Sequence, residues 1–219
     1  QAGISRITVS LDAVDTDVYQ AMGDTTSAPD TILDSIDKSL ALGIPVKVNT
    51  VVQKGINEHQ IIPLITQMSS RDVPIRFIEY MDVGATNSWN LDHVVTGKEM
   101  RTLIEKEFGT IQSIEPDQPS DVAREYTTKS GSVIGFIESI SNPFCGDCSR
   151  ARLSANGSIF TCLFATKGFD IRGILRMDAS KKEISKAISS IWSQRKDRYS
   201  ETRSEKTDSE RIEMSFIGG

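Results

Sequence analysis

Over the first third of the chain, short apolar runs alternate with stretches of helical period. Residues 6–11 (Arg-Ile-Thr-Val-Ser-Leu), 45–52 (Pro-Val-Lys-Val-Asn-Thr-Val-Val) and 74–81 (Pro-Ile-Arg-Phe-Ile-Glu-Tyr-Met) each read as a strand. Between the first two, residues 29–42 place Ile32, Ile36 and Leu40 at helical spacing, with Asp30 in an acidic first turn and Gly43 as the stop. Residues 57–71 repeat the pattern with Ile61, Leu64, Ile65 and Met68 behind Asn57 as N-cap. Strand–helix–strand–helix–strand with near-continuous apolar strands predicts right-handed crossovers and a parallel sheet.

Beyond Met81 the pattern changes. Residues 82–86 leave the strand through a turn, and Trp89, Asn90 and Leu91 fall in a loop. Residues 96–108 predict a helix with Met100, Leu103, Ile104 and Phe108 on one side and Gly109 at its end. Residues 111–138 are β-rich, with a turn at 129–132 and a strand from 133. A hairpin around Asn156-Gly157 pairs residues 152–153 with 158–162, a type I′ signal that folds Cys162 back towards Cys145 and Cys148. Residues 180–195 predict a helix with Ile184, Ala187, Ile188 and Ile191 inward, and residues 195–211 read as a solvated, charge-mixed tether. The apolar last six residues end on Gly218-Gly219 and are expected to dock, the two glycines giving a slim backbone suited to a tight cleft.

These elements predict an α/β protein. Residues 1–109 are expected to be the later half of an incomplete (β/α) barrel, and residues 110–219 an α+β region around the cysteines. Gly3 stands where a preceding helix would end, and a three-stranded parallel sheet is small for its class with a bare first edge. Both point to a barrel whose opening strands lie upstream of Gln1.

Composition narrows the partners. A chain of 219 residues can bury a substantial core, and a formal charge of −5 argues against a general nucleic-acid binder. No apolar run approaches the roughly 20 residues of a membrane span, and no signal peptide is present, so a cytoplasmic setting that keeps thiols reduced is expected.

The three cysteines, Cys145, Cys148 and Cys162, all fall within eighteen residues as C-x2-C-x13-C, with Arg150 and Arg152 beside the second. Three converging thiolates leave a metal centre one ligand short, and an open position can take a substrate. Guanidinium groups alongside suit an anionic one, because they grip phosphate in bidentate fashion. Iron–sulfur and zinc both accept thiolate ligands and both stay open at this point. Three inert buried thiols are the remaining reading, and a disulfide would strand one cysteine without any sign of secretion.

Three polar residues interrupt the apolar strands: Ser10, Lys47 and Arg76, with Asn49 on the same face as Lys47. A cation in a buried strand is costly unless paired or bound to a ligand. An internal salt bridge with Asp12 or Glu79 is the structural alternative. Two basic residues on successive strands, together with Arg150 and Arg152, describe a triphosphate or other polyanion pocket more economically.

The motifs Arg6-Ile-Thr-Val-Ser-Leu-Asp12, Val46-Lys-Val-Asn49, Arg76-Phe-Ile-Glu-Tyr-Met81, Asn142-Pro-Phe-Cys-Gly-Asp-Cys-Ser-Arg-Ala-Arg152, Cys162 and the terminal Gly218-Gly219 run over essentially all 219 positions. Together the chain resembles the radical S-adenosylmethionine GTP 3′,8-cyclases of molybdenum cofactor biosynthesis, the MoaA type. The resemblance implies that Cys145, Cys148 and Cys162 hold a 4Fe–4S cluster whose free iron site takes the guanine of GTP. It implies that Lys47, Arg76, Arg150 and Arg152 hold the nucleotide, chiefly its phosphates. Ser10, Met81 and Asn49 match positions lining the S-adenosylmethionine pocket, and Gly218 and Gly219 match a tail that reaches the active site and supports the radical chemistry. In the family a 5′-deoxyadenosyl radical removes the ribose 3′ hydrogen, and the carbon radical attacks guanine C8. Implied partners are GTP, S-adenosylmethionine, an electron donor, the downstream cyclic pyranopterin monophosphate synthase and a second copy in a homodimer.

One departure is large. The family's N-terminal C-x3-C-x2-C, which holds the second 4Fe–4S cluster and reduces S-adenosylmethionine, is absent from this sequence. The chain is therefore expected to be the C-terminal part of a cyclase, unable to cleave S-adenosylmethionine by itself. Another radical enzyme with an auxiliary cluster, or a non-catalytic zinc or iron–sulfur module, are the other classes; the first usually carries more auxiliary cysteines and lacks this arginine pair.

Overall fold

The computed structural model describes residues 3–84, 89–118, 120–203, 212–214 and 216–217. It divides into two compact units, one of Gln1–Met81 with Asn90–Asn142 and one of Asp82–Trp89 with Pro143–Gly219. By compactness the first unit thus runs to Asn142, further than the expected division after residue 109.

The first unit is a six-stranded sheet covered by helices. Its strands are β1 (Ile7–Ser10), β2 (Val46–Val52), β3 (Ile75–Glu79), β4 (Gln112–Ser113), β5 (Arg124–Thr127) and β6 (Val133–Ile137), in the order β1-β2-β3-β6-β5-β4. β1, β2, β3 and β6 are parallel, and β6, β5 and β4 continue as an antiparallel meander. The sheet therefore has a fourth parallel strand, Val-Ile-Gly-Phe-Ile, which sequence reading placed with the C-terminal region. Its run of four buried residues explains the position: a strand so apolar belongs at the middle of a sheet rather than at an edge.

Helices α2 (Pro29–Ala41), α3 (Ile61–Ser69) and α4 (Gly97–Phe108) were legible in the sequence; α1 (Thr16–Gly23) was not. α1 buries no residue, so its apolar period is weak, and Asp15 caps it by accepting from the Val18 N–H. α4 starts in the expected place because Thr96 and Glu99 close a reciprocal capping box. Of the residues expected to face inward, Met100 and Ile104 are buried, whereas Leu103 is 37% exposed. Asn57 does not cap α3 with its side chain. It accepts the Gln53 N–H at 2.7 Å and donates to the carbonyls of Asp12 and Val51 at 2.9 and 2.8 Å, fastening the ends of β1 and β2 together.

The core lies on one face of the sheet. Leu33 and Ile36 of α2, Ile61, Leu64, Ile65 and Met68 of α3 and Met100 and Ile104 of α4 pack with Val46, Val48, Val52, Ile75, Phe77, Ile134 and Phe136. Along β2 and β3 burial alternates residue by residue, so Lys47, Asn49 and Arg76 point to the opposite, less buried face.

The second unit carries a three-stranded antiparallel sheet of β7 (Arg152–Leu153), β8 (Ser158–Phe160) and β9 (Phe169–Asp170), then α5 (Ile171–Arg176) and α6 (Lys181–Ser193). The Asn156-Gly157 hairpin forms, but Gly157 is at φ +83° while Asn156 is not at positive φ, so the loop is not the expected type I′ turn. β9 and α5 were not anticipated. One expectation holds in part and another fails. Ile184, Ala187 and Ile191 are the half-buried positions of α6, as expected, but none is fully buried and Ile188 is 40% exposed. Residues 195–203 are not a solvated tether: Tyr199 is 7% exposed, and the Arg195 and Arg203 side chains are each 12% exposed. Ile217 is fully buried, as docking of the tail requires, while Gly218 and Gly219 lie outside the described residues.

Phe77 and Phe136 are both fully buried with ring centroids 6.3 Å apart, and the Tyr126 ring meets Phe136 edge-on at 5.5 Å. Phe77→Ala is expected to lower unfolding free energy by about 3–5 kcal/mol in denaturant titration. A loss under about 1 kcal/mol would contradict a continuous core beneath this sheet.

Candidate metal centre and anion-binding residues

Pairing register in the first unit brings three of the candidate residues into one row. Ser10 pairs with Asn49, Asn49 with Arg76, and Arg76 with Gly135 across β1, β2, β3 and β6. Glu125 of β5 continues the row from Gly135, and Lys47 lies two residues before Asn49 on the same face. Ser10 is the last residue of β1, and Met81 follows the end of β3 by two residues. The glycine in the row has a local cause. A side chain at Gly135 would come within 2.9 Å of Arg76 Cγ and 3.3 Å of Ala123 Cβ, so its absence leaves room for the arginine stem.

Glu125 holds both cations. Arg76 Nη2 donates to Glu125 Oε1 at 2.8 Å, and Lys47 Nζ lies 3.5 Å from the same oxygen. The partner is thus neither Asp12 nor Glu79. Asp12 accepts the Val51 N–H at 2.8 Å, and burial outweighs that bond to push its carboxyl up. Glu79 is fully buried and filled by the N–H groups of Gly97, Ile140 and Ser141 at 2.8 Å each, with the Ser141 hydroxyl besides. Burial pushes Glu125 up, but the Arg76 hydrogen bond and the Lys47 and Arg76 charges outweigh it and hold the carboxyl below its usual range. Two atoms of the row remain over: Asn49 Oδ1 and Arg76 Nε are buried without a hydrogen-bond partner among the described residues. A buried acceptor and donor left open on one face are the kind of groups a polar ligand satisfies.

In the second unit all three cysteines are free and partly buried. Cys145 and Cys148 share a tight turn, with the Cys148 N–H 3.4 Å from the Cys145 carbonyl. Arg150 lays its fork on the second thiol, Nε and Nη2 each 3.3 Å from Cys148 Sγ, and its guanidinium lies 5.2 Å over the Phe144 ring. Burial raises the Cys148 thiol, yet the Arg150 N–H and guanidinium and the Arg195 charge outweigh it and bring the thiol below its ordinary value. Cys162 follows β8 and receives the Phe164 N–H at 3.4 Å. Its thiol is pushed up by burial, and the Asp197 and Cys145 charges add to that. Burial lowers Arg152, as does the neighbouring Arg150, while the charge of Cys162 acts in the opposite sense.

Among the described residues no three Cys, His, Asp or Glu side chains lie together closely enough to hold a single metal ion. The donor chemistry nonetheless fits a cluster. Three free thiols come from two segments, Arg150 brings the Cys148 thiol below its ordinary value, and an iron–sulfur cluster spreads its thiolates over several irons rather than onto one point.

Fold and site define a protein that pairs a parallel-rich α/β sheet with an arginine-flanked three-cysteine set. The family model described as Molybdenum Cofactor Synthesis C matches residues 73–201, and that of the Radical SAM superfamily matches residues 1–68. The chain belongs to the Molybdenum Cofactor Synthesis C family, joined to a radical SAM segment. It is 41% identical over 224 residues to a GTP 3′,8-cyclase of Staphylococcus carnosus (strain TM300), 43% to one of Staphylococcus haemolyticus (strain JCSC1435) and 42% to one of Staphylococcus aureus (strain JH9). Each match covers 100% of this chain and 66% of the relative, so the chain spans just under two thirds of their length.

The Glu125 geometry has a pH signature. Its folded-state affinity for protons is depressed, so the ion pairs stabilise the fold at neutral pH, and that contribution is lost as pH falls through the lowered value. Glu125→Gln is expected to melt at a lower temperature than wild type at pH 7. The gap should close as pH falls through that lowered value, where the native carboxylate also becomes neutral. A gap that stays constant as pH falls would assign Glu125 a role in packing instead.

Proposed function

We propose that this chain forms part of a GTP 3′,8-cyclase, which converts GTP to (8S)-3′,8-cyclo-7,8-dihydroguanosine 5′-triphosphate at the start of molybdenum cofactor biosynthesis. The observation that carries the reading is the free, arginine-flanked cysteine set in a chain of this family. Cys145, Cys148 and Cys162 are the ligands of a 4Fe–4S cluster, which when bound supplies an open iron site for the guanine base. Arg150, Arg152, Lys47 and Arg76 bind the triphosphate by charge, and guanidinium forks suit phosphate oxygens. GTP phosphates compete with Glu125 for Lys47 and Arg76. Ser10 at the carboxyl end of β1, Asn49 paired with it from the middle of β2, and Met81 beyond the end of β3 line the S-adenosylmethionine site. Ligands of parallel α/β sheets commonly bind at that end of the strands.

In the complete enzyme β1, β2 and β3 belong to the later half of a (β/α) barrel, residues 1–109 contribute to the radical SAM part, and residues 110–219 carry the auxiliary cluster. A second 4Fe–4S cluster that cleaves S-adenosylmethionine belongs to a segment outside this sequence, so the chain alone does not perform the radical step. The setting is cytoplasmic, with an electron donor and the downstream cyclic pyranopterin monophosphate synthase as pathway partners; no helix among the described residues is long and apolar enough to cross a membrane. Gly218 and Gly219 reach the reacting centre, where a backbone without side chains fits and orients the partners.

Anaerobic reconstitution of the 219-residue chain is expected to load about four irons, with the broad absorption of a 4Fe–4S cluster. Cys145→Ala, Cys148→Ala and Cys162→Ala should each abolish it; stoichiometric zinc without iron would rule out the cluster.

In a polypeptide that also carries the N-terminal cluster motif, Arg150→Ala and Arg152→Ala should each weaken GTP binding by about 1.5–3 kcal/mol while sparing S-adenosylmethionine binding. Deleting Gly218 and Gly219 should do the converse, leaving GTP binding and both clusters intact and removing most turnover. Normal product formation by the truncated enzyme would return the two glycines to an ordinary terminus.

A further inference from the structure

The segment after α6 grips both arms of the cysteine set. α6 ends at Ser193 with Gln194 as C-cap, and the Arg195 N–H bonds back to the Trp192 carbonyl at 3.1 Å. The Arg195 guanidinium lies 5.0 Å over the Trp192 ring. Held there, Arg195 Nη1 donates to the carbonyl of Cys148. Two residues later Asp197 Oδ2 accepts the hydroxyl of Thr161, the neighbour of Cys162, at 2.5 Å. The same oxygen stands 3.7 Å from Arg195 Nε. One ion pair thus joins a bond to the C-x2-C turn with a bond at the end of β8.

The remainder of the segment anchors this pair. Tyr199 stacks on Phe164 at 4.4 Å, and Phe164 is the residue whose N–H reaches Cys162 Sγ. The Tyr199 hydroxyl and Arg203 Nε both bind the fully buried Asp82, at 2.6 and 2.9 Å. Arg203 also lies over the rings of Phe164, Tyr199 and Trp89 at 5.4, 5.4 and 5.9 Å.

Two of the thiols sit in one turn, but the third follows fourteen residues later, beyond the end of β8, so local chain geometry does not set the spacing between them. A multi-iron centre needs that spacing held. We propose that Arg195 and Asp197 are positioning residues for the three-thiol centre, tying the Cys148 turn to the Cys162 strand end, with Tyr199, Arg203 and Asp82 as their anchor. The inference rests on the reading of Cys145, Cys148 and Cys162 as cluster ligands. Groups that orient metal ligands without touching the metal commonly change metal affinity by 10–100-fold when removed.

The test uses the 219-residue chain, reconstituted anaerobically, as wild type, Arg195→Gln, Asp197→Ala, Arg195→Lys and Thr161→Val. Iron release to a ferrous chelator, the electron paramagnetic resonance spectrum after dithionite reduction, and the melting temperature of each chain without iron are measured. Arg195→Gln and Asp197→Ala should release iron about 10–100-fold faster, with a changed spectrum and iron-free melting close to wild type. Arg195→Lys should recover part of the retention. Thr161→Val should give a smaller acceleration alone and none added to Asp197→Ala, since both break the same bond. Wild-type release rates and spectra in Arg195→Gln and Asp197→Ala would overturn the proposal. So would iron-free chains that melt as much lower as the loaded ones, because the pair would then hold the fold and not the centre. A wild type that loads no iron would overturn the cluster reading, and this proposal with it.

Discussion

Alternation of side chains along β2 and β3 is the constraint on which the first unit depends. Burying Val46, Val48, Thr50 and Val52 on the helix-covered face sends Lys47, Asn49 and Val51 to the other, and burying Ile75, Phe77 and Glu79 does the same for Arg76 and Ile78. A slip of one residue would drive Lys47 and Arg76 into the apolar layer, at a desolvation cost their ion pairs do not offset. Core packing therefore sets the register, and the register sets the row Ser10–Asn49–Arg76. The candidate ligand-binding residues are placed by apolar neighbours they do not themselves contact through their polar atoms.

The second unit is held differently. Its sheet strands have two or three residues each, and α6 buries none of its side chains. In place of a broad core, directional contacts do the holding: capping box at Ser180 and Glu183, guanidinium-on-ring stacking at Arg150, Arg195 and Arg203, and the buried Asp82 carboxylate shared by Tyr199 and Arg203. Such contacts specify geometry more sharply than apolar burial does, because each loses strength quickly with angle and distance.

Glu125 gives the cation pair its resting partner. Two cations on adjacent strands repel, and a single carboxylate oxygen within reach of both relieves that cost while leaving Arg76 Nε and Asn49 Oδ1 open. A polyanion would meet groups already held in place, which reduces the ordering cost of binding.

The sequence by itself determined those features that rest on near neighbours. The periods of β2, β3, α2, α3 and α4, the capping box of α4 and the Asn156-Gly157 turn are local, and the cysteine–arginine block could be read by spacing alone. Tertiary structure decided whatever depends on distant partners. That β6 joins the parallel strands follows from pairing with β3, more than fifty residues earlier in the chain. That Glu125 rather than Asp12 or Glu79 meets Lys47 and Arg76 follows from sheet order, since β5 lies beyond β6 in sequence-independent position. The charged run at 195–203 misled for the same reason: Arg195, Asp197 and Arg203 look solvated when only their neighbours are counted. Burial of such groups becomes affordable once Cys148, Thr161, Asp82 and aromatic rings from remote segments supply their hydrogen bonds and stacking faces, and no local pattern encodes where those partners fall.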